Sequence, residues 1–572
     1  MKKIFLPLIL CTLQIISCNK VLDITPSGRI TIDDAFTDEL RTEAFLNTIY
    51  LSMPAWFYSY TNLTMLAGSS DEAEDAEVGN GTPNMNASWI RGELSITNNP
   101  GINFYTTFWN GILNANIFLA HIDHATVSNE AKRGRLKAEA TLLRAFYYWE
   151  LTKQYGPLPI FDFAPEANFD YTTIKRPILD EVVAFIIADC DAVISSPNIP
   201  MRITLEAERG RFTKALAYAL KSQVLLYFAS PLWNTANSAE RYRAASAASL
   251  EALTTLTANG MYKLSDNYGE YFLNRLDINN SPLDRETIFE HPTRAGANLI
   301  SFMSIPSKIG MSKVGCTPTQ ELVDAYDMKE TGEPPILGYT DDTHVAPILN
   351  PSSGYDPDNP YEGRDPRFYA TIWYNGASYD NINGTVHTIE TFVGGKDQLL
   401  RNPPNTNNTH TGYYLRKFID HKLQIGNASN AGWKKFRLAE IYLNYAEAEN
   451  EVSGPGGDVY SAINTVRKRA GMPDLPAGLT KDQMRQRIRK ERQVEFAFEE
   501  HRFWDVRRWK ILDQTDKFVT GMEITQGGGG FHYNRFVVGN RVAWQDRYLI
   551  FPIPLKDALN VPDLGNNQNP GW

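Results

Sequence analysis

Between residues 104 and 258, and again from 433 to 500, apolar side chains recur at the helical period. Small residues repeat there beside large aromatic ones. Ala138, Ala140 and Ala145 stand beside Phe146, Tyr147 and Trp149, and Ala439, Ala446 and Ala448 stand beside Tyr442 and Tyr445. Small residues let two helices approach, and aromatics fill the space left alongside. The pattern predicts helices at 37–50, 104–122, 130–154, 176–193, 212–229, 239–258, 433–451, 458–470 and 480–500. They should pack as pairs, in the manner of tetratricopeptide units, although no strict period of about 34 residues survives.

Composition narrows the class. The chain has 572 residues, 43% hydrophobic and 21% charged, which excludes wholesale disorder. A formal charge of −10 argues against nucleic acid as the main partner, because phosphate binding needs a basic surface. The 28 Phe, 28 Tyr and 11 Trp hint at stacking surfaces, though a large core also uses them.

Residues 1–17 read as a secretory signal rather than as part of the fold. Lys2 and Lys3 precede an apolar run from Ile4 to Ile16 that is too short to span a bilayer. Ser17-Cys18 then resembles a bacterial lipobox, with Cys18 the acylated new N-terminus. Multiple acyl chains on one residue give stable anchoring. Ordinary cleavage beside an incidental cysteine is the competing reading. Of the remaining cysteines, Cys11 leaves with the signal. Cys190 and Cys316 are too few for a disulfide framework or a zinc site, and Cys190 is expected as a buried thiol.

Helical period fades from about 265 to 430, where Asn, Gly, Pro, Asp and aromatics dominate. Short strands are expected at 369–374 and 413–419, and the tail 515–572 reads as irregular. A long irregular stretch in a compact chain is usually functional.

Several ordered segments then resemble one family. Trp109-Asn110-Gly111 with Ala115-Asn116 comes first, followed by Leu143-Arg144-Ala145-Phe146-Tyr147-Tyr148 and Tyr155-Gly156-Pro157-Leu158-Pro159. Later come Gly210-Arg211-Phe212-Thr213-Lys214-Ala215 and Arg437-Leu438-Ala439-Glu440-Ile441-Tyr442. Arg502-Phe503-Trp504-Asp505-Val506-Arg507-Arg508-Trp509 and the ending Gln568-Asn569-Pro570-Gly571-Trp572 complete the series. Together they resemble the SusD/RagB family of Bacteroidota over nearly the whole chain. The resemblance implies a mainly α fold, with a tetratricopeptide-like helix-pair scaffold and a large loop-rich ligand-binding region. The expected organisation is a signal at 1–17, a lipid anchor and leader at 18–35, and one domain at 36–572. Within it, scaffold occupies about 36–264 and 431–512, variable loops 265–430, and an irregular tail 513–572.

The resemblance also implies a cell-surface lipoprotein of the outer membrane that captures a nutrient oligomer for a SusC-like TonB-dependent transporter. The ligand would be an oligosaccharide, or in some branches a peptide. No cofactor is expected. Sugar rings need aromatic platforms for their faces and amides or carboxylates for their hydroxyls. Candidate ligand residues are therefore Trp89 and Asp71, flanking a Gly/Asn-rich loop; Cys316, opening a segment like the family's ligand-facing loop; and Tyr413 and Tyr414 at a pocket edge. Asn47, Trp233, Trp373 and Arg367 are weaker candidates. Packing, solvated charge and loop fixation are the competing readings. The acidic runs Asp71–Asp75 and Asp356–Asn359 lack EF-hand spacing and are expected as solvated loops. Glu491, Glu495 and Glu499, spaced by four, read as salt-bridge staples with Arg492, Arg502, Arg507 and Arg508.

Enzyme signatures are missing. There is no Gly-x-Ser-x-Gly elbow, no Gly-x4-Gly-Lys-Ser/Thr loop and no His-Glu-x-x-His. With 66 acidic residues, a glycosidase pair has no positive support but is not excluded by spacing. A surface polysaccharide hydrolase and a protein-recruiting helical scaffold stay open as rival readings.

Overall fold

The computed structural model describes residues 31–54, 65–75, 89–97, 104–166, 168–278, 284–296, 314–380, 386–400, 407–420 and 429–572. Cys18 and the rest of the N-terminal segment lie outside them.

Helices dominate, as the periodicity implies. In chain order α1 is Glu39–Tyr50, α2 Tyr105–His121, α3 Glu130–Tyr155, α4 Leu179–Ser195, α5 Lys214–Ala229 and α6 Ala239–Thr257. Their ends follow local chemistry. Asp38, Asn129 and Thr213 each accept a backbone N–H in the first turn of α1, α3 and α5. Gly156, at φ +73°, closes α3 in a conformation that a side chain would strain. Each helix from α2 to α6 packs on the next. The alanines read as spacers are buried, with Ala140 and Ala145 fully so, beside equally buried Phe146 and Tyr147. A polar rung crosses this core. Trp149 Nε1 donates to Gln223 Oε1 at 2.7 Å, and Gln223 Nε2 donates to Glu440 Oε1 at 2.6 Å. Cys190 is a buried free thiol whose pKa is raised by burial.

The loop-rich stretch is pinned at its base. Strand β2 (Thr287–Gly296) pairs antiparallel with β10 (Ser429–Arg437), so the chain between them leaves and returns at one place. Part of the helix expected at 433–451 is thus strand; helix begins only at Leu438. Inside the stretch are short helices α7 (Tyr268–Tyr271, just before β2), α8 (Gln320–Ala325) and α9 (Pro366–Thr371). Two-stranded pairings join β1 (Ala73–Asp75) with β3 (Cys316–Pro318), β4 (Ile336–Tyr339) with β5 (Pro347–Leu349), β6 (Ile372–Trp373) with β9 (Tyr414–Leu415), and β7 (Ser378–Asp380) with β8 (Val386–Thr388). Of the strand expected at 369–374, Ile372–Trp373 is strand β6, but 369–371 is the end of α9, which Asp365 caps and Pro366 opens.

After β10 come α10 (Leu438–Ser453), α11 (Gly457–Arg469), α12 (Lys481–Glu495), α13 (His501–Arg508) and α14 (Leu512–Thr515). Helix α10 packs back on α6, which returns the chain to the scaffold. The expected helix 480–500 stops at Glu495, because Phe498 and Glu500 take left-handed φ of 63° and 69°. The tail is not all irregular. β11 (Phe518–Gly527) and β12 (Gly530–Asn540) form a long hairpin around Gly528-Gly529.

The end of α12 holds a buried ion network. Glu495 accepts from Arg437 Nη1 at 2.6 Å, from Arg367 Nη1 at 2.8 Å and from Arg469. Arg437 also reaches Glu286 and Glu499, each at 2.7 Å, and Arg367 reaches Glu491 at 2.6 Å. These three arginines hold the Glu495 carboxyl well below the usual carboxylate range. A depressed pKa supplies stability that is complete above the unfolded value, near 4.3, and is lost as pH falls towards the folded one. Glu495→Gln takes one shared carboxylate away from three buried guanidinium groups, which keep Glu491, Glu286 and Glu499 between them. It should cost about 3–5 kcal/mol in urea denaturation at pH 7 and flatten the loss of stability below about pH 4. A loss under about 1 kcal/mol would show that the network is not structural.

Candidate functional site

Five of the residues singled out from sequence gather in the loop-rich region. Asp71 precedes β1, Cys316 lies in β3, Trp373 in β6, and Tyr413 and Tyr414 sit at β9. The structure buries them all. Cys316 Sγ accepts from Met65 N at 3.1 Å. Tyr413 donates to Gln320 Oε1 at 2.5 Å, and Tyr414 donates to Asp397 O at 3.0 Å. Trp373 pairs across the ladder with Tyr414, and the Arg416 guanidinium lies 4.3 Å from its ring. Cys316, Trp373, Tyr413 and Tyr414 are packed inside and present no free face, whereas Asp71 lines the groove described below.

Of the other candidates, Trp89 and Arg367 are buried in interior contacts, while Asn47 and Trp233 keep part of their surface but lie elsewhere. Trp89, 2% exposed, packs on Phe503, Tyr548 and Phe551, with the Arg507 guanidinium 4.6 Å from its ring. Arg367 belongs to the ion network, which is the loop-fixing role. Asn47 is exposed on α1 and accepts from Arg211 at 3.2 Å. Trp233 is half-buried after α5, against Gly156. These four do not join the loop-region cluster.

The first acidic run is not a solvated loop. Asp71 receives both Arg502 Nε at 2.7 Å and Nη2 at 2.6 Å, and Glu74 pairs with Arg541 at 3.0 Å. Glu72, fully buried beside Asp71, has its carboxyl pushed up to about 8 by burial and then by the Asp71 charge. The second run is solvated: Asp356 is part of an exposed turn and accepts from Asp358 N and Asn359. No cluster of metal-ligating side chains occurs among the described residues.

A cavity of about 800 Å³ is an open groove with Asp71 and Arg502 on its wall. One side is the β4–β5 hairpin, where Tyr339 stacks on His344 with centroids 4.2 Å apart. Another is α12, which presents Gln486, Arg489, Lys490 and Gln493. Helix α8 supplies Glu321 and Asp324. Those carboxylates are committed. Asp324 receives Tyr339 Oη at 2.9 Å and Arg535 Nη2 at 2.8 Å, and Glu321 receives Thr520 Oγ1 at 2.6 Å and lies 3.1 Å from His344. Gln486 and Gln493 make no hydrogen bond within the described residues, so their amides are available. The volume lies in the range of ligand-binding clefts. A smaller cleft of about 440 Å³ lies between α2, the 159–171 loop and residues 556–564. It is aromatic, with Tyr105, Trp109, Phe161 and Tyr171 on its walls.

Of the groove residues, the sequence reading names Asp71 but not Gln486, Arg489 or Gln493. Gln486 and Gln493 lie seven positions apart, hence on one helical face, and that spacing was the available signal.

Comparison with known proteins fits this architecture. The model of the SusD family matches residues 285–572, and a second model, described as starch-binding and associating with the outer membrane, matches residues 17–226. The chain belongs to the SusD family. SusD-like protein P2 of Formosa agariphila is 24% identical over the full length of both chains. A SusD-like protein from Bacteroides fragilis is 27% identical and superposes with a TM-score of 0.76, over 94% of this chain and 98% of its own. A laminarin-binding SusD-like protein is 21% identical with a TM-score of 0.62, over 94% of this chain and all of its own. The SusD fold thus accounts for both the helical scaffold and the loop-rich face. No described helix is long and apolar enough to cross a membrane.

The raised Glu72 pKa has a signed consequence. In the folded protein the carboxyl keeps its proton up to about pH 8, whereas unfolded it ionises near 4.5. Stability should therefore fall as pH rises across that window. Glu72→Gln mimics the protonated acid. It should be more stable than the parent at pH 8, by on the order of a few kcal/mol, and nearly equal at pH 4.5. Urea midpoints at both pH values would show this, and equal midpoint differences would refute it.

Proposed function

We propose that this SusD-family protein is a lipid-anchored outer-membrane receptor that binds a nutrient oligosaccharide in the groove and delivers it to a SusC-like TonB-dependent transporter. One observation carries the saccharide reading: the groove offers uncommitted amides, Gln486 and Gln493, opposite the Tyr339 hairpin and exposed Leu337. Amides for hydroxyls beside apolar surface for ring faces is the chemistry that a neutral sugar needs. The family description as starch-binding, and the laminarin-binding relative, support the same class.

Anchoring rests on Cys18 in its lipobox-like setting, and association with the outer membrane agrees with the family description. Delivery follows from the chemistry of capture. An oligomer held outside an outer membrane is useful only if a barrel beneath receives it. A lid on that barrel must bury a substantial surface to stay in register. The protein acts by binding, without turnover.

Calorimetric titration of the mature chain in detergent with neutral oligosaccharide and peptide pools tests the reading. Saccharide binding without product is expected. Gln486→Ala/Gln493→Ala should weaken it roughly tenfold, since two hydrogen bonds are lost. Tyr171→Ala, in the aromatic cleft, should leave it unchanged. Loss only in Tyr171→Ala would move the site to that cleft, and binding of peptides alone would replace saccharide with peptide.

A further inference from the structure

We propose that the groove selects an acidic saccharide, and that Arg489, seated on Trp509, receives its carboxylate or sulfate group. This rests on the saccharide reading above and deepens it.

The argument starts from the charge pairing of α12, which carries a dense run of cations. Arg485 pairs with Glu451 and with Asp482. Arg487 pairs with Glu333 at 2.7 Å, Lys490 with Asp327 at 2.6 Å and Arg492 with Asp505 at 2.9 Å. Arg489 is the exception on this stretch. It makes no ion pair and no hydrogen bond with the described residues, and its Nε is buried without a partner. Its guanidinium lies 4.8 Å from the Trp509 ring centroid, and it lines the groove.

The groove's own acids cannot serve it. Asp71 is held by Arg502, Asp324 by Arg535, Glu333 by Arg487, and Glu321 by Thr520 and His344. After these pairings the groove wall retains one uncompensated cation. A guanidinium supported on an indole is pre-organised and matches the planar geometry of a carboxylate or the oxygens of a sulfate. Gln486 and Gln493, on the same helix wall, would bind the hydroxyls of the ring that carries the anion.

Neutral ligands explain the amides but leave Arg489 unused. A peptide could also bring a carboxylate, but the sugar-binding amides and the groove's apolar edge favour a saccharide.

The test compares three oligosaccharides of equal length, one neutral, one containing uronates and one sulfated, by titration of the full mature chain at low and high salt. At low salt, one or both acidic oligomers should bind at least about tenfold tighter than the neutral one, with the preference shrinking as salt rises. The two acidic arms distinguish carboxylate from sulfate. Arg489→Met keeps an apolar side chain on Trp509 and should reduce the preference to under about threefold. Arg489→Lys, which keeps the charge but not the fork, should retain part of it. Neutral and acidic oligomers binding alike, or a preference unchanged in Arg489→Met, would overturn this inference alone. Preference for an acidic peptide over every saccharide would also overturn it. Binding of no saccharide would overturn the underlying reading as well.

Discussion

The carboxylate of Glu495 holds together parts of the chain that share no other element. Arg437 arrives from the base of the loop-rich region, Arg469 from the end of α11, and Arg367 from α9 inside the loops. Each guanidinium is nearly or wholly removed from water. Bringing so many charges inside is expensive, and only complete pairing offsets the cost. The arrangement therefore adds less to net stability than its ion pairs suggest. What it fixes is position, because a shift of any arm leaves a buried charge unpaired. Lys417 extends the same logic. Burial lowers its pKa to about 8, and it bonds Glu499, Ala497 O and Tyr268.

Helix α12 links this network to the groove. Glu491, Arg492 and Glu495 look inward, while Gln486, Lys490 and Gln493 fall on the other face of the helical period. One side of the helix is clamped by ions, so its other side is a rigid wall. The opposite wall is a two-stranded hairpin fixed by two committed carboxylates, Asp324 and Glu321. A binding surface built on a clamped helix and a tethered hairpin loses little conformational freedom when it meets a ligand.

Sequence reasoning saw the scaffold because helical period and the pairing of alanine with aromatics are local signals. Glu495 was read as a staple for the same reason: its spacing from Glu491 is helical. The full network was not visible, since its partners Glu286, Arg367 and Arg437 are far apart in sequence. The β11–β12 hairpin falls inside the tail read as irregular, although Phe531 and Tyr533 alternate with His532 and Asn534. The site was the least legible part. Trp89, Trp373, Tyr413 and Tyr414 were sought at the surface, yet large aromatics in a loop-rich region with few helices are what its core must be made from. Each of the two tyrosine hydroxyls and the Cys316 thiol found a partner inside. Gln486 and Gln493 offer only their helical spacing as a signal.

Most buried charges of the chain are paired, and two departures beside the groove differ in kind. Glu72 is crowded by Asp71 and has no cation of its own; it escapes by keeping a proton, which costs stability only as pH rises. Arg489 has no such escape, because a guanidinium does not give up its proton in water-accessible sites near neutral pH. Its charge persists whether or not a partner is present. Within the protein every nearby carboxylate is already held. The remaining way to compensate it is from outside, by water or by an anion entering the groove. An anion on the Trp509 platform does so with better geometry than water and at the cost of fewer ordered molecules. The pairing that commits the neighbouring carboxylates thus makes the one unmatched cation of α12 a point of selection.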